Sequence, residues 1–258
     1  MDVYVSPTLF ALAAFAGMLL MLDLGRRIGL KRQALGEDHG KAGLGTMQGI
    51  IFGLTTLVLA FSFSGAMSRY DARRDLVLAE ANAIGTAYLR IDLLPGADQP
   101  ALRDLFRRYV DSRLAVYHAL PDLVEARAQL ERSKGLQNEI WAASMSSIQR
   151  ASPGTPTMLV VAALNDMIDL TATRTVAAMS HPPVVIFAMI FVLLLASALV
   201  AGQDSAASAV KSLRRYGSLA LVLSLTVFVI LEIEFPRMGF IRIEAYDQLL
   251  VDVRTDMR

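Results

Sequence analysis

The chain has 258 residues, 54% of them hydrophobic, with a mean hydropathy of +0.46 and a formal net charge of +1. It is too apolar for an ordinary soluble domain, in which apolar residues including Gly make up about 45–50%, and it has no strong positive charge to suit nucleic acid. There are no cysteines, and His39, His118 and His181 stand far apart, which excludes disulfides, thiol nucleophiles and the paired histidines of a helical metal site.

A bilayer core of about 30 Å needs about 20 mostly apolar helical residues, and four windows qualify. The first runs over residues 9–24. Its N-terminal flank, Met1-Asp2-Val3-Tyr4, has no basic residue, while Arg26, Arg27, Lys31 and Arg32 follow the apolar run. That order is wrong for a cleaved signal, so the window reads as a retained helix. Asp23 is expected at the interface beside Arg26 and Arg27.

The second window covers residues 47–63. No proline occurs from Gly45 to Leu94, and a helix over that run reaches about 70 Å, roughly twice the bilayer core, so its second half projects into water. Pro95-Gly96 ends it. Asp98 with Pro100 reads as a cap and first turn for a helix towards Leu120, and Pro121-Asp122 opens another to about Arg150. Thr155 is the expected cap of a last helix to Ser180, and His181-Pro182-Pro183 marks the junction with the third window, residues 184–201. The fourth window covers residues 219–231. Glu232 and Glu234 close it, and below the membrane surface either should be paired or functional.

These elements predict an all-α protein with four spans and a helical bundle outside the membrane between spans two and three. The expected divisions are a transmembrane hairpin at 1–66, the bundle at 67–182, a second hairpin at 183–235 and an amphipathic tail at 236–258. Four passes return the chain to the membrane where span three begins. Leu102, Leu105, Phe106, Tyr109 and Val110 recur at helical spacing, with Arg103, Asp104, Arg107 and Arg108 on the other side. Arg26, Arg27, Lys31, Arg32 and Lys41 in one short loop, and Lys211, Arg214 and Arg215 in another, make both loops cytoplasmic. The N-terminus and the bundle then lie outside, although Arg69, Arg73 and Arg74 argue the other way.

Gly45, Gly49 and Gly53 share one face of span two, where a second backbone can approach closely. Such a face packs within a subunit, or it packs about a symmetry axis and lines a pore. Leu57 and Phe61 continue it, and a ring of Phe61 would form a hydrophobic constriction. Ser62 and Ser64 would face water beyond it. Arg69, Arg73 and Arg74 follow, either as an electrostatic collar at a pore mouth or as interfacial anchors with Asp71 as a neighbour. Asn82, Thr86, Asn165, Asp166, Asp169 and Arg174 are expected to form a polar network that fixes the bundle's register, with any ion pair of Arg174 between helices and ion or ligand contact as the alternative. No nucleophile–base pair, metal cluster or phosphate loop is visible, so neither enzymatic activity, a metal site nor a cofactor is expected.

The run Arg69-Tyr70-Asp71-Ala72-Arg73-Arg74, continuing through Glu80-Ala81-Asn82-Ala83-Ile84-Gly85-Thr86-Ala87-Tyr88-Leu89-Arg90 to Leu94-Pro95, resembles the bacterial bestrophin-like domain family. Ala163-Leu164-Asn165-Asp166-Met167 and Pro236-Arg237-Met238-Gly239 sit where that family has similar segments. The resemblance covers almost the whole chain and implies four spans around a helical domain. Its name leads on to the bestrophins, pentameric anion channels with a hydrophobic neck on the second span. Those keep their large domain in the cytoplasm and have an acidic calcium-binding cluster, and neither trait is read in this sequence. The function expected is a homo-oligomeric ion channel or channel-like permeation protein with span two near the axis, pentameric by analogy, in a bacterial inner membrane. Its partners are the lipid bilayer, further copies of the chain and small ions, with no nucleic acid. The alternative is a non-conducting structural or sensory module whose outer bundle binds a partner.

Overall fold

The computed structural model describes residues 6–35, 41–150, 155–207, 211–237, 239–241 and 244–257. It contains α1 (Pro7–Ala34), α2 (Lys41–Leu89), α3 (Gln99–His118), α4 (Leu123–Arg150), α5 (Thr155–Met179), α6 (Val184–Asp204), α7 (Lys211–Glu234) and α8 (Glu244–Asp256). No strand occurs among the described residues. Four stretches are long and apolar enough to cross a membrane, and they fall on α1, α2, α6 and α7. The chain is therefore an all-α protein of four spans with a helical bundle between the second and third.

It divides into two compact units, Met1–Ser68 with His181–Phe235 and Arg69–Ser180 with Pro236–Arg258. In the first unit, α1 and α6 meet through glycines. A Cβ on Gly25 would lie 2.1 Å from the Leu199 carbonyl oxygen, and one on Gly202 would lie 2.3 Å from that of Leu22. Only hydrogen fits at either place, so the two backbones approach as small residues allow in a membrane. Ala14, Met18, Leu22, Ile190, Leu194 and Ala201 are buried along the same seam, and Phe10 meets Phe191 edge-on at 5.6 Å.

The second unit is built as the proline punctuation predicts, with a tightened end to α2. The α-helix stops at Leu89 and a 3₁₀ turn, Arg90–Leu93, completes the run to Leu94, a common way to finish a helix. Asp122 caps α4 by accepting from the Val124 and Glu125 amides at 2.9 and 3.1 Å. Asp98 stands at the N-cap of α3 without capping it. Its carboxylate accepts instead from Ser147 Oγ at 2.7 Å and Arg150 Nη2 at 2.8 Å, tying the start of α3 to the end of α4. These bonds hold its pKa below the ordinary value. The expected cap at Thr155 falls on a side chain outside the described set.

Leu102, Phe106, Tyr109 and Val110 of α3 enter the core with Ile84, Tyr88, Ile140, Leu164 and Met167, while Leu105 packs partly buried against it. The C-terminal segment joins this core through Leu250 and Met257. Its alternation of buried Asp247 and Leu250 with exposed Gln248 and Asp252 gives α8 one inward face.

Candidate functional site

Helix α2 presents two different faces along its length. In the first unit the packed side carries Thr55, Leu59 and Ala66, all buried. Thr55 Oγ1 lies 2.9 Å from Ser197 Oγ on α6 and donates to the Ile51 carbonyl at 2.7 Å, so a polar bond joins the two spans where water is absent. The other side carries Gly45, Gly49 and Gly53, and a Cβ on any of them would meet nothing within 4 Å. Among the described residues, then, no helix packs closely against this stripe. Leu57 and Phe61 continue the open face at 51% and 69% exposure. Ser64 is exposed there and Ser62 is half-buried.

In the second unit the packed side continues through Arg73, Val77, Glu80, Ala81, Ile84 and Tyr88. The sequence leaves Arg73 open between a pore-mouth collar and an interfacial anchor. Arg73 is buried, and its Nε and Nη2 donate to the Ala177 and Ser180 carbonyls at 3.1 and 2.9 Å. A cation there satisfies carbonyls left over at the end of α5 and complements the helix dipole. Arg74 pairs with Asp71 at 3.1 Å and lies over the Tyr246 ring at 4.5 Å, so it too has an anchoring task. Arg69 is half-buried.

Of the residues predicted for the polar network, Arg174 enters it, through ion pairs to other helices, and its remaining members are ones the sequence did not single out for it. Asn82, Thr86, Asn165 and Asp169 are all exposed. The buried network centres on Glu80, which accepts from Arg113 Nε at 2.8 Å, from Thr171 Oγ1 at 3.2 Å and from Arg174. Thr171 in turn meets Tyr109 Oη at 2.7 Å, and Gln137 donates to the same oxygen at 3.1 Å. Arg174 also reaches Asp247 at 3.0 Å. Burial pushes the Glu80 carboxyl up, but Arg113 and Arg174 outweigh it and hold the pKa below the ordinary value. Desolvation raises the phenols of Tyr109 and Tyr117, so both stay neutral.

At the end of span four, Glu232 and Glu234 are buried. His181 Nδ1 lies 2.9 Å from Glu234 Oε1, and its ring lies 4.4 Å from that of Phe235. Asp23 is an exposed partner of Arg27 at 2.7 Å. Among the described residues no group of three His, Asp or Glu side chains is placed to hold a metal ion.

The family model described as Bestrophin-like domain matches residues 9–246. No curated protein matches the chain, and no solved structure does.

Proposed function

From the premise that this chain belongs to the bestrophin-like domain family, a membrane protein by its four apolar helices, we propose that it is a homo-oligomeric ion channel or channel-like permeation protein with α2 nearest the axis. The observation that carries this reading is the open face of α2. A Cβ on Gly45, Gly49 or Gly53 would meet nothing within 4 Å among the described residues, and bulk returns along the stripe at Leu57 and Phe61. Lipid facing a single span would not call for three glycines in register, whereas a ring of copies uses them to bring backbones close. Phe61 would then supply the apolar constriction that favours dewetting. The pore would work by geometry and hydration, with no catalytic step.

In the same proposal the chain lies in a bacterial inner membrane with its N-terminus and bundle outside the cytoplasm, from the basic loops, and the pentamer is taken by analogy with the bestrophins. A non-conducting sensory or structural module is the second reading. It is favoured by the exposed Asn82, Thr86, Asn165 and Asp169, a polar surface suited to a protein partner. Mass measurement of the purified protein separates the two. A ring of subunits is expected, and a monomer of four spans would leave no room for a central pore and favour the module.

A further inference from the structure

Three guanidinium groups converge on one aromatic ring in the second unit. The Cζ atoms of Arg174, Arg237 and Arg113 lie 4.0, 4.4 and 5.3 Å from the centre of the Tyr117 ring. Arg174 and Arg113 are almost fully buried, and Arg237 keeps 13% of its side chain in water. Two carboxylates answer them. Glu80, fully buried on α2, takes Arg113 and Arg174. Asp247 on α8 takes the rest: its Oδ1 accepts from Arg174 Nη2 and Arg237 Nη2, both at 3.0 Å, and its Oδ2 from Arg237 Nη1 at 2.8 Å. Three cations against two anions leave one positive charge over. Among the described residues no acceptor meets the buried Arg113 Nη1. An uncompensated buried charge is costly, and paired guanidiniums match the oxygens of carboxylates and phosphates.

The two carboxylates differ in how firmly they are held. Glu80 sits within α2 among Val77, Ala81 and Ile84. Asp247 belongs to a C-terminal strap held besides by the half-exposed Arg254–Asp111 pair at 2.7 and 3.1 Å, the contact of Tyr246 with Arg74, the buried Leu250 and Met257, and the partly buried Leu249 and Val253. Exposed ion pairs contribute little.

We propose that Arg113, Arg174 and Arg237 form an oxyanion site that Asp247 occupies from within, and that a phosphate or sulfate group competes with the strap for it. Charge selects the ligand. With α8 lifted, three guanidiniums and Glu80 leave a charge of two, which a doubly charged oxyanion cancels and a carboxylate does not. Arg113 Nη1 is the donor such a ligand gains and Asp247 does not use. The site makes no use of the pore, and its failure would leave the channel reading untouched.

The test is titration of the full-length protein in detergent with inorganic phosphate, at constant ionic strength set with chloride. Binding is read by calorimetry and strap release by amide exchange over residues 244–256. Phosphate should bind saturably and speed exchange there. Asp247→Asn removes the internal competitor and should raise apparent phosphate affinity by about tenfold or more, since the competent state no longer has to be opened. Arg174→Gln should abolish binding. Should Asp247→Asn fail to fold, Asp111→Asn, which loosens the Arg254 anchor without touching the cluster, should shift affinity the same way. Phosphatidic acid in mixed micelles distinguishes the source: displacement of inorganic phosphate assigns the site to a lipid headgroup, and no displacement to the free ion. Absence of saturable binding in the folded variants, or binding unchanged by Arg174→Gln, would overturn the proposal.

Discussion

Arg113 Nε donates to Glu80 Oε1 at 2.8 Å with neither side chain more than 1% exposed, joining α3 to α2 in the middle of the second unit. Glu80 also serves Arg174, so its loss strands two buried guanidiniums. Glu80→Ala should destabilise the protein by about 3–5 kcal/mol, the range for breaking a buried pair from one side. Chemical unfolding of the full-length protein in detergent measures this. A loss no larger than that of an exposed ion pair would show that the network holds the bundle weakly.

The same carboxylate gives a pH dependence with a definite sign. Its folded pKa lies below the ordinary carboxyl value of 4.5, so near that value the unfolded chain binds protons more readily. The stabilisation is complete above the unfolded value and fades as pH falls below 4.5 towards the folded one. The unfolding midpoint of the parent should therefore drop on acidification through that window, and Glu80→Gln should flatten this part of the profile. Equal slopes in parent and variant would assign the acid loss to other groups.

Glycines on two helices should respond in opposite ways. Gly25→Ala places a Cβ against the Leu199 carbonyl, and such overpacking typically costs about 1–3 kcal/mol. Gly49→Ala meets nothing in the chain, so the fold of one copy should be unharmed or gain up to about 1 kcal/mol from helix propensity. Bulk at the same place, as in Gly49→Leu or Gly53→Leu, should weaken assembly if copies meet there. Thermal unfolding and sizing of the same samples read both effects. Full assembly of both leucine variants would remove the close contact from the open face.

Arg73→Ala should read as lost stability. Its hydrogen bonds to Ala177 and Ser180 are charge-assisted, and each such bond contributes about 1.5–3 kcal/mol. Arg73→Lys, with a single cationic centre in place of a fork, should recover part of the loss. Unfolding of the three proteins side by side tests this, and an Arg73→Ala protein as stable as the parent would mean the end of α5 needs no cation.

Much of the architecture is legible in the sequence, because membrane thickness sets the length of an apolar run and proline marks where helices stop. The spans, the four passes of the bundle and the Asp122 cap follow from those two facts. The contacts between helices are less legible. Gly25 and Gly29 have the same spacing as Gly45, Gly49 and Gly53, and spacing alone does not say which stripe finds its partner inside the chain. The buried network was hidden for a related reason. Glu80, Arg113, Arg174 and Asp247 lie on four helices far apart in the chain, and of the polar residues singled out on α2 and α5 only Arg174 faces inward, while Asn82, Thr86, Asn165 and Asp169 face outward. One signal was available: Glu80 follows Val77 by three residues and precedes Ile84 by four, which puts it on an apolar face, and Arg113 follows Val110 by three residues and Tyr109 by four.

The central claim is that copies of α2 surround a pore narrowed at Phe61. Ion flux from liposomes containing only this protein tests it most directly, with the parent and Phe61→Ala compared on preparations whose folding and oligomeric mass are measured together. Phe61 is 69% exposed in the chain, so its truncation should not bring the loss of about 3–5 kcal/mol expected of a buried phenylalanine. A well-folded Phe61→Ala oligomer should leak ions faster than the parent. A folded Phe61→Ala oligomer with unchanged flux, or a parent oligomer that passes no ions, would contradict it.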